Sequence, residues 1–132
     1  MERYKRPDHK NALSILLAAN REMKFTLTLE VNENSGTTIV RNIYECFRML
    51  GDAILTAKGL EGDSHIESIR ELSKLKVNTT RPINLVDSLR QLRHNINYYG
   101  YRPTIAEIND ALSIARSLFK PLSEEVLKII DY

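Results

Sequence analysis

Apolar residues recur along most of this chain at three- and four-residue steps, the pattern of helices that bury one side. From Asn11 to about Glu30 the stripe runs through Ala12, Ile15, Leu16, Ala19, Met23 and Leu27. The end of that segment carries two patterns at once. KFTLTLEV, residues 24–31, continues the helical stripe and also alternates with the period of two that suits a strand. The continuing stripe favours helix, and the strand stays open as the alternative. NENSG then breaks the pattern and predicts a loop.

The clearest helix is TTIVRNIYECFRMLGDAILTAKGL, where Ile39, Ile43, Phe47, Leu50, Ile54 and Ala57 define one face and Gly59 supplies the stop. After a short EGD turn, Ser64 and Glu67 have the spacing of a capping box and open a third helix through Ile66, Ile69 and Leu72. KVNTTRP is a polar connection whose Pro82 suits a helix start. A fourth helix faces Leu85, Leu89, Leu92, Ile96 and Tyr99 inward and ends at Gly100. Thr104 and Glu107 make a second capping box. The last helix carries Ile105, Ile108, Leu112, Ala115, Phe119 and Leu122, with Pro121 predicting a kink or break before EEVLKII. Short connections make antiparallel neighbours. The expected fold is therefore an all-α, up-and-down four-helix bundle with an additional short helix.

Composition changes this picture little. At 132 residues the chain suits one domain, residues 1–132, with a basic, mobile start over residues 1–10 carrying Arg3, Lys5, Arg6 and Lys10. Nineteen basic against 17 acidic residues leave a net charge of +2, which makes no general electrostatic case for nucleic acid. A single cysteine, Cys46, inside the apolar pattern of the second helix reads as a buried thiol in a reducing cytosol. The polar N-terminus has no signal-peptide core, and ALSILLAA is too short to cross a bilayer, so the expectation is a cytoplasmic protein with no membrane partner.

Most ways in which a helical bundle acquires chemistry find no support. The five glycines are scattered rather than gathered in a phosphate loop. His9, His65 and His94 lack cysteine or carboxylate partners at metal-ligand spacing, and the Glu-x-x-His pattern of di-iron bundles is absent. Neither a metal nor a cofactor is expected.

The fourth helix is the exception. In LRQLRHNINYYGYRPT, residues 89–104, Arg90, Arg93, His94 and Asn97 fall along one side, beside the Leu89, Leu92, Ile96 stripe. Arginine binds phosphate bidentately and histidine moves a proton at neutral pH. Tyr98, Tyr99 and Tyr101 would add surfaces on which bases stack. The plain alternative is an ordinary solvated helix face, with tyrosines covering the rim of the core.

YECFRMLGDAILTAKGLEGDSHIESIREL, residues 44–72, resembles the second and third helices of HEPN-domain proteins, through the Leu50–Ala57 core, Lys58-Gly59 and His65. LRQLRHNINYYGY falls where that family carries an Arg and then, after four to six intervening residues, a His. The resemblance runs from about Val40 into the last helix. It implies a HEPN-like bundle that forms a homodimer and brings two Arg/His motifs together at the interface. Active members are similar to metal-independent ribonucleases; others bind RNA or nucleotides, or partner small nucleotidyltransferases in toxin–antitoxin pairs.

The chain departs from that signature. Counting from Arg93, the histidine should fall between Tyr98 and Gly100, and none is there. Counting from Arg90, His94 comes one residue too early, and Asn97 cannot act as a base. Three readings follow. The leading one is a HEPN-like module that binds RNA or a nucleotide without catalysis, through Arg90, Arg93, His94, Asn97, Tyr98 and Tyr101. The second is a ribonuclease with Arg90 and His94 as an offset catalytic pair. The third is a helical interaction protein, with a small nucleotidyltransferase as partner.

Overall fold

The computed structural model describes residues 3–4, 6–61 and 65–131, with side chains over 6–60 and 66–131. These residues form five helices: α1 (His9–Thr26), α2 (Gly36–Lys58), α3 (His65–Ser73), α4 (Leu85–Tyr99) and α5 (Ile105–Asp131). Two short strands, β1 (Arg3–Tyr4) and β2 (Leu60–Glu61), pair antiparallel with Arg3 opposite Glu61 and Tyr4 opposite Leu60. The basic start of the chain is thus partly engaged, since β1 is paired and Lys10 already lies in α1.

Asp8 caps α1 by accepting the Asn11 N–H at 2.9 Å. The helix ends at Thr26, four residues before the sequence pattern suggests. There Thr26 Oγ1 donates to the Glu22 carbonyl at 2.8 Å and Thr28 Oγ1 to the Phe25 carbonyl at 2.6 Å. Backbone bonds from Thr28 to Phe25 and from Leu29 to Thr26 then close tighter turns. Residues 27–31 are consequently neither helix nor strand. Their alternation is nevertheless real, because Leu27, Leu29 and Val31 all pack against the core.

Helix α2 is the centre of the molecule. Its contact face is wide: Ile39, Val40, Ile43, Tyr44, Phe47, Leu50, Ala53 and Ile54 are all buried. Gly59 ends it in the left-handed region, at φ 72°. The Asp8 N–H donates to the Thr56 carbonyl at 3.1 Å, which fixes the start of α1 beside the end of α2, so these helices run antiparallel. Gly36 lies against Ile108, and the Phe47 and Phe119 rings meet edge-on at 5.5 Å, so α5 runs parallel to α2. Ser123 donates to Asn20 at 2.7 Å between α5 and α1, and Arg41 to Asn97 at 2.8 Å between α2 and α4. The four longer helices therefore alternate in direction, and α3 is the additional short helix.

Ser64 lies outside the described residues, and with it the first capping box. Helix α3 approaches α2 closely, since a Cβ on Gly51 would meet the Ser68 carbonyl oxygen at 2.1 Å. Beyond it, an extended connection is held to α5 by Thr80 on Ser117 at 3.0 Å and by Arg81 on Asp110 at 2.8 Å. Pro82 does not open α4, which starts at Leu85 after two turn residues.

The second capping box forms as expected. Thr104 N–H donates to Glu107 at 2.9 Å and Glu107 N–H to Thr104 Oγ1 at 3.1 Å. Helix α5 then continues unbroken through Pro121. Proline removes one helical hydrogen bond there, but Leu118, Phe119, Leu122 and Val126 are buried around it, and their packing holds both halves in one helix. Three residues expected inside are exposed instead: Ile66, Tyr99 and Ile105. Each lies within the first or last turn of its helix, where the neighbouring helices no longer cover the stripe.

Candidate nucleic-acid interface on the fourth helix

Val86, Leu89 and Ile96 are the buried residues of α4, and they orient everything else on it. Arg93 follows Leu89 by four residues and precedes Ile96 by three, so it shares their side. Its guanidinium lies 5.5 Å from the centroid of the Tyr44 ring on α2, within the range of a cation–π contact. The expected strip of four is thus split, because Arg93 turns toward the core while Arg90, His94 and Asn97 line its edge.

Arg90 Nε donates to Asp87 Oδ1 at 2.8 Å, an ion pair within the first turns of the helix. The hydrogen bond to Asp87 is the main reason its pKa is raised. Among the described residues no hydrogen bond joins Arg90 to His94. The His94 ring packs instead on two tyrosines, with centroids 4.6 Å from Tyr98 and 5.9 Å from Tyr99. Tyr98 is 70% and Tyr99 76% exposed, so two open rings, with the half-buried His94 ring packed against them, form a surface at the C-terminal end of α4. Gly100, at φ 64°, then turns the chain away.

Asn97 and Tyr101 are both engaged. Asn97 Oδ1 accepts the Arg41 Nε–H from α2 at 2.8 Å. Tyr101 donates its hydroxyl to Glu107 Oε1 at 2.5 Å, which braces the cap of α5 and sets the phenol apart from the other rings. That bond is the first cause of a raised Tyr101 pKa. Backbone and side-chain hydrogen bonds hold the Glu107 carboxyl below its ordinary range.

The partner helix contributes residues that the α4 pattern does not reveal. Arg41 and Tyr44 of α2 face this seam, and Arg48 lies one turn beyond Tyr44. Burial raises the Tyr44 pKa, and the charges of Arg93, Arg90 and Arg48 oppose that rise. Arg48 is itself neutralised. It forms ion pairs with Glu45 and Asp52, and Asp52 also accepts from Ser68 of α3. The hydrogen bonds that Arg48 donates to Glu45 are the leading cause of its raised pKa. Spacings of three and four residues make the Arg48 pairs legible in the sequence, whereas the meeting of Arg41 with Asn97 spans two helices and is not.

The remaining chemistry-bearing residues lie elsewhere. His9 lines a cavity of about 460 Å³ with Lys58, Glu125 and Lys128, and Cys46 is buried. Among the described residues no helix is long and apolar enough to cross a membrane, and no group of three His, Cys, Asp or Glu could hold a metal ion. Comparison with protein-family models, with curated proteins and with solved structures returns no match.

Proposed function

We propose that this chain is a HEPN-like module that binds single-stranded RNA or a nucleotide at the C-terminal end of α4, as a homodimer and without catalysis. The observation that carries the reading is the surface of His94, Tyr98 and Tyr99, bordered by Arg90, Arg93 and Arg41. Exposed rings beside cations suit unpaired bases, which stack through their faces while arginines take the backbone. The homodimer comes from the family resemblance alone.

Two features favour binding over cleavage. Arg90 is held by Asp87, so the guanidinium that would stabilise a pentavalent phosphate already has a carboxylate partner. His94 is turned to the tyrosines rather than to Arg90. An offset Arg90/His94 ribonuclease would have to break the first arrangement.

The test is binding of a fluorescent single-stranded RNA 12-mer, and of AMP, at low salt in EDTA. Replacing Tyr98 and Tyr99 with Ala should weaken binding by roughly tenfold or more, as expected for the loss of stacking. Unchanged affinity in that variant would overturn the reading. RNA cleavage in EDTA that disappears in His94→Ala would establish the ribonuclease instead. A wild-type protein that binds neither ligand would turn the tyrosine surface over to a protein partner, with a small nucleotidyltransferase as the first to test.

A further inference from the structure

Arg41 and Arg93 meet at the seam between α2 and α4 in a complementary way. Arg41 reaches across to Asn97, one turn beyond Arg93, and Arg93 reaches back to Tyr44, one turn beyond Arg41. Both side chains therefore engage the opposite helix within about one turn of each other. The carboxylates nearby are already engaged: Asp87 by Arg90, and Glu45 and Asp52 by Arg48. Among the described residues neither Arg41 nor Arg93 has an ion-pair partner.

The direction of Arg41 is also set. Asn97 takes the Nε–H of Arg41, which leaves its two Nη nitrogens as a fork and fixes the direction of that fork. Arg93 is held beside the same seam by the Tyr44 ring, whose centroid lies 5.5 Å from the guanidinium carbon. Two guanidiniums on one seam without an ion-pair partner are suited to a tetrahedral anion with several acceptor oxygens. Tyr98 follows Asn97 directly in the chain, so the ring surface begins where the cationic seam ends.

We propose that Arg41 and Arg93 form a phosphate-binding subsite across the α2–α4 seam, with Asn97 positioning Arg41, for the phosphate attached to a nucleotide whose base stacks on His94 and Tyr98. This rests on the reading of α4 as an RNA- or nucleotide-binding surface and adds to it a phosphate ligand from a second helix. Asn97 thereby changes role, from a group that touches the ligand to one that aims the group that does.

The experiment uses the full chain and the same two probes, the fluorescent RNA 12-mer and AMP, over a series of salt concentrations. Arg41→Ala should weaken RNA binding by about tenfold and lower the slope of log K against log salt by about 0.7, the loss of one phosphate contact on a single strand. Arg41→Lys should restore the slope but not the full affinity, because a lysine keeps the charge and lacks the fork. Asn97→Ala should lower affinity with the slope retained. A loss shared by AMP identifies a terminal phosphate as ligand, and a loss confined to RNA identifies the phosphodiester of the polymer. Unchanged affinity and slope in Arg41→Ala, with binding still lost in the Tyr98 and Tyr99 double variant, overturns the subsite and leaves the stacking surface standing. A wild-type chain that binds neither probe overturns both.

Discussion

The guanidinium of Arg93 stands 5.5 Å from the centroid of the buried Tyr44 ring, so one arginine of α4 is part of the packing between two helices. Leu89 and Ile96 are buried on either side of it along the same helix. A side chain in that place does two things, since its methylene stem covers apolar surface while its charge faces the ring.

Replacing Arg93 with Ala should therefore destabilise the fold by about 1 kcal/mol and lower Tm by roughly 4 °C. Arg93→Met should recover part of the loss, because it restores the stem without the charge. Thermal unfolding followed by circular dichroism decides this, and an Arg93→Ala Tm equal to wild type would mean that the arginine is merely a solvated charge.

Gly51 and Gly36 both lie under neighbouring groups, yet they should respond differently to Ala. At Gly51 the added Cβ would meet the carbonyl oxygen of Ser68 at 2.1 Å, so α3 must move as a backbone. At Gly36 it would meet the Cδ1 of Ile108 at 2.2 Å, the far end of a side chain that can change rotamer. Gly51→Ala should destabilise by about 3 kcal/mol, and Gly36→Ala by about 1 kcal/mol. Urea denaturation of the two variants gives the ranking directly, and equal midpoints would contradict the close approach of α3.

Glu107 caps α5 through Thr104 and accepts the hydroxyl of Tyr101. Its carboxyl is held below the ordinary range, first by the Thr104 backbone bond and then by the Tyr101 bond. A group with a lowered pKa contributes its stability above the unfolded value, near ~4.3 for Glu, and loses it as pH falls through the folded value. Stability attributable to this cap should thus be present at pH 7 and fade below about pH 4. Glu107→Gln should be less stable than wild type at pH 7, with the gap closing on acidification. A gap that stays constant from pH 7 to pH 3 would remove the carboxylate from the account.

Burial pushes the Cys46 thiol up to about 12, with Glu22 and Glu45 adding to the rise. A thiol in that state has almost no thiolate at neutral pH. Cys46 should fail to react with a disulfide reagent such as DTNB in the native protein and react at once in 6 M guanidinium. Rapid native labelling would place it in a mobile or open part of α2.

The family resemblance points to an Arg and a His on one helix as the place of chemistry, and the spacing of Arg90 and His94 can be checked without coordinates. What occupies those groups cannot. Asp87 lies three residues before Arg90, so their pairing is legible as local charge patterning. Arg41 and Asn97 are 56 residues apart, and nothing in their surroundings marks one for the other.

The sequence by itself determined the helices, because their apolar stripes, the stops at Gly59 and Gly100 and the Thr104–Glu107 box all act within one or two turns. It also determined that Cys46 is buried, since that residue lies in the apolar pattern of the helix that becomes the centre of the molecule. Tertiary structure decided the rest. Threonine hydroxyls ended α1 early and left Leu27, Leu29 and Val31 packed on the core without a strand partner. Packing carried α5 through Pro121, and the lack of cover at helix ends left Ile66, Tyr99 and Ile105 in solvent. The contents of the α2–α4 seam belong to the same class. Periodicity says that a side of a helix is buried, but only the neighbour laid against it says which arginine meets a ring, which meets an asparagine and which is neutralised by a carboxylate.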